Sequence, residues 1–287
     1  MKERSENEKV AIVIIAVMVL IVFVVLVLYF TGVLSKNKPS ANIIVDNAVF
    51  FKYEGKKWNL VNKKEYSDIN WSKVTVYEEG ENIGKLSIFS NDGKWYLFEE
   101  KGGERTPVKA VGDSIYTGGR IGTKFIKFEK EEVNRDDIKY IHKVLDYYKI
   151  SRDEQNKYTY RYKVSYDFDN DGKKEDLFVV SNMFSDEEIE NSYSFIFINN
   201  DGKTKMIYNK VYKGNMNMGG CYSYLYGLIQ VEKSEVPQIV TKCSYYSVSL
   251  ENEYGLYQFS RNNYEMLLYS KEIWYNTSLE KRSWLWN

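Results

Sequence analysis

Residues Val10 to Phe30 read VAIVIIAVMVLIVFVVLVLYF, an apolar run without a charge, a proline or a strongly polar side chain. At a helical rise of ~1.5 Å per residue, such a run crosses a hydrocarbon core of ~30 Å. Its many Val and Ile residues favour strands in water. In lipid, however, a lone strand leaves its backbone N–H and C=O groups without partners, so a helix is the one single-segment solution. A secretory signal reads differently. Its apolar region is only ~7–15 residues long and is followed by a small-x-small cleavage site. Here the run is longer and no such site follows closely, although Lys2, Arg4 and Lys9 precede it. No cysteine stands beside it to take a lipid. The expectation is an uncleaved anchor over 10–30, a cytosolic tail over 1–9 and a linker over 31–41. Three basic residues before the run against Lys36 and Lys38 after it give a slight positive-inside bias. This predicts a single-pass protein of the cell membrane with its C-terminal body outside.

Residues 42–287 are enough for one large or two modest domains. Lys plus Arg number 40 and Asp plus Glu number 40, so the chain is formally neutral. That balance offers no electrostatic basis for holding nucleic acid or an acidic membrane surface. The two cysteines, Cys221 and Cys243, fall in the part expected outside, where disulfides persist. Bridged, they would close a loop contributing about 3 kcal/mol in the chain-entropy model. Two buried free thiols on neighbouring strands are the alternative.

The fold class expected is mainly β, with the transmembrane helix and one amphipathic linking helix, built from antiparallel β-repeats in a blade-like or sandwich packing. Over 42–128 the runs NIIV, VFFKY, KWNLV, KVTVY, KLSIF, KWYLF and KFIKF are separated by turn signals, among them Asn91-Asp92-Gly93, a hairpin signature. Asn134 then caps a helix whose apolar stripe is Ile138, Ile141, Leu145 and Tyr148. This divides a β-rich domain ending in a helix, 42–150, from a β-repeat domain, 151–287. In the latter, RYKVSYDFDNDGKKEDLFVVSN and YSFIFINNDGKTKMIY are echoed by LYGLIQVEKSEVPQIVTKCS and YGLYQFSRNNYEMLLY. At an offset of 62, Leu177 falls on Ile239, Phe195 on Tyr257 and Phe197 on Phe259.

One stretch carries chemistry. Asp167, Asp169 and Asp171 occupy alternate positions, and Gly172 allows a sharp turn after the third. Three clustered carboxylates repel one another unless a cation joins them. Ca²⁺ takes 6–8 oxygens, and the carbonyl of Lys173 with Glu175 or Asp176 would extend the shell. The text resembles the calcium loop of FG-GAP and VCBS-type repeats, in which a DxDxDG triplet leads into a hydrophobic strand, here Leu177-Phe178-Val179-Val180. That resemblance spans about 20 residues. It implies calcium on Asp167, Asp169, Asp171, Lys173, Glu175 and Asp176. An EF-hand fits worse, since its twelfth position falls on Phe178. In the second copy the triplet positions become Ile229, Val231 and Lys233, so a single ion is expected, as a structural staple.

Other motifs point elsewhere. His142 is the sole histidine and sits beside the helix stripe, with no GxSxG or comparable nucleophile context to serve. Gly118-Gly119-Arg120-Ile121-Gly122 lies in a β-type stretch without a phosphate loop's GK[ST], and reads as a turn. Trp274, Tyr275, Trp284 and Trp286 are aromatic packing or a sugar platform. Without a catalytic constellation, the expected function is a non-enzymatic extracytoplasmic module that binds a protein or envelope polymer. A carboxylate-dependent envelope hydrolase and an accessory subunit of a membrane complex are the alternatives. Protease added to intact cells is expected to degrade the C-terminal body. Cleavage seen only after lysis would place that body in the cytosol.

Overall fold

The computed structural model describes residues 6–30, 39–46, 49–61, 75–85, 87–91, 94–183, 190–213, 220–232, 234–245, 251–260 and 263–273. The chain forms two compact units, Met1–Ser40 and Ala41–Asn287. The first contains helix α1 (Glu6–Phe30). Ile14 to Val27 on it are apolar and exposed. The run of described side chains is shorter than the ~20 residues of a crossing, and among the described residues no helix is long and apolar enough to cross a membrane. The expected span over 10–30 therefore rests on its sequence. Trp274, Tyr275, Trp284 and Trp286 lie outside the described residues, as do Asp92 and Gly93 of the expected hairpin turn.

The second unit begins with β1 (Ser40–Val45), β2 (Val49–Glu54), β3 (Lys57–Leu60), β4 (Thr75–Glu78), β5 (Glu81–Lys85), β6 (Ser87–Asn91), β7 (Lys94–Lys101), β8 (Glu104–Ala110), β9 (Ile115–Gly119) and β10 (Thr123–Ile126). Helices α2 (Arg135–Tyr147) and α3 (Arg152–Asn156) follow. The chain continues through β11 (Tyr160–Tyr166), β12 (Glu175–Ser181), β13 (Asn191–Asn200), β14 (Lys203–Lys213), β15 (Cys221–Val231), β16 (Gln238–Tyr245), β17 (Glu251–Ser260) and β18 (Asn263–Ile273). Their sheets run β3-β2-β1-β9-β4-β5, β6-β7-β8, β11-β12-β13-β14 and β10-β15-β16-β17-β18, and the strand pairs are antiparallel.

The apolar text of β1, β12, β13 and β16 is continuous because both of their faces are covered. In the β11–β14 sheet, Phe178, Val180, Tyr193, Phe195 and Phe197 pack under Ile141, Val144 and Leu145 of α2. Its opposite face, with Leu177, Val179, Ile196 and Ile198, meets Leu225, Leu228, Ile239 and Tyr257 of the β15–β18 sheet. That sheet turns Ile229, Val240, Tyr254 and Leu256 to Ile43, Val45 and Phe51 of β1 and β2. Ile44, Phe50 and Tyr116 point the other way, toward Leu97. A stack of antiparallel β-layers results, with helix α2 against the outer face of the β11–β14 sheet.

Helix α2 begins where expected. Asn134 Oδ1 accepts the N–H groups of Asp136 and Asp137 at 2.8 and 3.0 Å, and Asp137 Oδ2 accepts the Asn134 N–H at 2.9 Å, a capping box. Asp137 also meets Lys163 Nζ of β11 at 3.2 Å, tying the helix start to the sheet beneath. The glycine-rich stretch closes β9, where Gly118 and Gly119 pair with Asn42 and Ala41, and Gly122 N–H donates to Glu232 at 3.1 Å.

The two four-stranded meanders correspond at a spacing slightly different from 62. Each carries a bulge in its fourth strand, at Ile207 opposite Ile196 and Phe197 and at Leu267 opposite Leu256 and Tyr257. Phe178 pairs with Phe197, and Ile239 with Tyr257. Superposing these features aligns Phe178, not Leu177, with Ile239. A slip of one residue exchanges the faces of a strand, and Leu177 and Ile239 in fact enter one core layer from its two opposite sides.

Asp46, at the end of β1, is the buried joint between layers. Its carboxylate takes Lys242 Nζ at 2.7 Å and accepts hydrogen bonds from the Tyr226 and Tyr254 hydroxyls. Lys242 also sits 5.0 Å from the Tyr226 ring centroid. Breaking a buried pair by removing one partner costs about 3–5 kcal/mol, because the other charge is stranded. Lys242→Met is expected to destabilise the chain by that order in urea titration, and Asp46→Asn on the same background to recover much of the loss.

Candidate metal site

The loop joining β11 to β12 is shaped by its own carboxylates. Asp171 N–H donates to Asp167 Oδ1 at 3.1 Å and Asp169 Oδ1 at 3.3 Å, Gly172 N–H to Asp167 Oδ2 at 3.0 Å, and Lys173 N–H to Asp171 Oδ1 at 2.8 Å. Short acidic side chains compete well for nearby backbone donors, which is why they bend a chain here. Asn170 and Gly172 take left-handed conformations, with φ of 59° and 89°. Nothing lies within 4 Å of a Cβ built on Gly172, so backbone angle rather than space favours glycine there.

The result is convergence. Asp167, Asp169, Asp171 and Glu175 each offer an oxygen, and these atoms all lie within 4.8 Å of one another. Glu175 is buried, 6 % exposed, and accepts the Phe168 N–H at 2.8 Å. Asp169 is further held by Asn200 Nδ2 at 2.8 Å, from the β13–β14 turn. Of the other residues expected in the shell, Lys173 contributes its N–H to the loop and extends its ammonium to 3.8 Å from Asp201. Asp176 belongs elsewhere. It accepts Ser165 Oγ at 2.5 Å and lies 3.5 Å from Lys163. Adjacent strand residues point to opposite faces, so once Glu175 turns into the cluster Asp176 must turn toward α2.

Burial pushes the Glu175 carboxyl up to about 7; the Phe168 N–H opposes this, and Asp169, Asp167 and Asp171 add to it. Tyr264 of β18 is 6 % exposed, and its hydroxyl is buried without a hydrogen-bond partner among the described residues. Its pKa is raised by burial and then by Glu175, Asp169 and Asp167. Neither Asn200 nor Tyr264 is marked in the sequence as part of the loop. Asn200 is traceable only as the start of the Asn-Asp-Gly turn of the next hairpin. The donor set is all oxygen and strongly anionic, which suits a hard divalent cation such as Ca²⁺ and not a thiol-seeking metal.

Cys221 and Cys243 form a disulfide with Cα atoms 5.6 Å apart, set diagonally across β15 and β16, since Ser223 is the residue opposite Cys243. Tyr208 Oη lies 3.2 Å from Cys243 Sγ. Their sulfurs with Glu253 form a compact group, but the bridge occupies both sulfurs. His142 is in neither group of candidate ligands, and burial followed by Arg152 and Arg161 holds its pKa below the ordinary value.

No protein family, curated protein or solved structure matches the chain.

The raised Glu175 pKa has a definite sign. An acid that holds its proton more tightly when folded than unfolded makes the folded state less stable as pH rises from the ordinary 4.5 through about 7. In chelator, the melting temperature of the wild type is expected to fall across that window. Glu175→Gln should flatten the fall, and an equally steep profile in the variant would assign the effect to other groups.

Proposed function

We propose that the chain is a membrane-anchored extracytoplasmic binding protein whose β-rich body is stapled by one calcium ion in the 167–175 loop. The observation that carries the calcium reading is the convergence of four carboxylates, with oxygens all within 4.8 Å of one another; the buried Tyr264 hydroxyl, which feels their charge, has no hydrogen-bond partner among the described residues. Left without a cation, such a group is repulsive. The resemblance of the loop to FG-GAP and VCBS-type repeats supports the same ion, now on Asp167, Asp169, Asp171 and Glu175. Asp176 is replaced in that role by its neighbour.

The anchor rests on the apolar run over 10–30, which continues unbroken through α1. The disulfide supports an oxidising compartment for the body, since cytosolic thiols are kept reduced. The body is read as a binding module rather than an enzyme. Its acidic group is wired into its own backbone, and Glu175, the carboxyl with raised pKa, is sealed in the protein.

A ligand that binds only the folded form stabilises it by about 2.7 kcal/mol at a hundredfold excess over its dissociation constant. Extracellular calcium modules commonly bind at ~10⁻⁴–10⁻³ M. The melting temperature of the full chain in detergent is therefore expected to rise with millimolar calcium. Asp169→Ala should abolish the rise while leaving far-ultraviolet circular dichroism unchanged, because the strands on either side keep their apolar faces. Identical calcium responses in wild type and variant would reduce the loop to an acidic turn.

A further inference from the structure

Beside the acidic loop lies a cleft of about 790 Å³, lined among others by Asp169, Lys56, Lys57, Trp58, Gln258 and Phe259. Its size is within the ~300–1,000 Å³ of small-molecule sites. Gly55 and Lys56, with φ of 59° and 65°, form the two-residue turn between β2 and β3, where Glu54 pairs with Lys57. That turn places two exposed lysines, consecutive in the chain, in the lining of the cleft. Neither lysine has an ion-pair partner among the described residues. Across the cleft, Phe259 and Gln258 come from the end of β17, and Asp169 comes from the loop.

The charge of this cleft depends on the loop. Lys56 and Lys57 stand against Asp169 and Glu235 in the cleft's lining, and a divalent cation held by the four loop carboxylates would offset part of the negative charge on the Asp169 side. We propose that the cleft binds an acidic saccharide, a short run of sugar rings bearing carboxylates; the contribution of the cation to this site rests on the calcium reading above. Lys56 and Lys57 take the ligand carboxylate through charge-assisted hydrogen bonds. Trp58 and Phe259 give apolar surface for the ring faces. The Gln258 amide oxygen accepts Gln238 Nε2 at 3.2 Å, and its NH₂ group suits sugar hydroxyls as a donor. Asp169, which would help hold the cation, lines the same cleft.

The test uses the full chain in detergent, oligogalacturonate as probe, and titration calorimetry in calcium and in chelator. A neutral gluco-oligosaccharide and an oligoglutamate of equal charge are the controls. Saturable binding of oligogalacturonate is expected, with neither control binding comparably, and weaker binding in chelator. The double substitution Lys56→Gln/Lys57→Gln lies on an exposed turn. It should weaken oligogalacturonate binding about tenfold or more, as loss of charge-assisted contacts does, while the calcium-induced rise in melting temperature stays as in the wild type. If calcium leaves the melting temperature unmoved but the lysine variant still loses the saccharide, the calcium reading fails and the cleft stands on its lysines. If calcium stabilises the chain but the probe binds no better than either control, or binds the lysine variant as it binds the wild type, the saccharide inference is overturned.

Discussion

The packing of the body depends on one buried charge. Asp46 sits at the end of β1 with a left-handed φ of 53°, and its carboxylate is answered by an ammonium and two phenols from three consecutive strands, β15, β16 and β17. Apolar faces slide over one another at modest cost, because dispersion and area burial are indifferent to small displacements. A buried carboxylate is not indifferent, since leaving it without donors costs several kcal/mol. The β1-containing sheet and the β15–β18 sheet can thus meet in one placement only, and the stack beyond them inherits that alignment.

Much of this fold is legible in the sequence and some is not. Strand text, the capped helix at Asn134 and the doubling of the second half follow from local pattern. The spacing of the doubling does not, because aromatic and β-branched residues fill both faces and leave no polar phase to fix which residue is which. Leu177 and Phe178 are equally good core residues, and only the bulges at Ile207 and Leu267 decide between them. Nor does any local signal reveal that β10 crosses to pair with β15, Phe125 opposite Ile229, so that the two β-rich stretches divided at 150 share a sheet and form one compact unit.

The acidic loop shows the same boundary between local and distant information. Its triplet and its glycine are visible because they act on their own backbone. The choice between Glu175 and Asp176 was open on the sequence alone, yet strand alternation settles it once Leu177 is known to face the inner layer: Glu175 shares that face and Asp176 does not. Asn200 and Tyr264 come from strands far along the chain, and no spacing rule relates them to Asp169. What they add is a hydrogen bond from Asn200 to Asp169 and a buried Tyr264 hydroxyl that feels the charge of the loop.

The pairing of Asp46 with Lys242 spans most of the body, and this bears on how the chain is made. At about 5–20 residues per second, synthesis leaves β1 waiting on the order of 10–40 s for its counter-charge. Contacts so distant in sequence form slowly once they can form at all. During that interval the first strands present open edges and an unanswered acid, which is the state in which β proteins aggregate. A newly made chain of this kind needs either isolation from its siblings or a helper that holds it until the last hairpins arrive, so the vulnerable period of its life is its birth rather than its service.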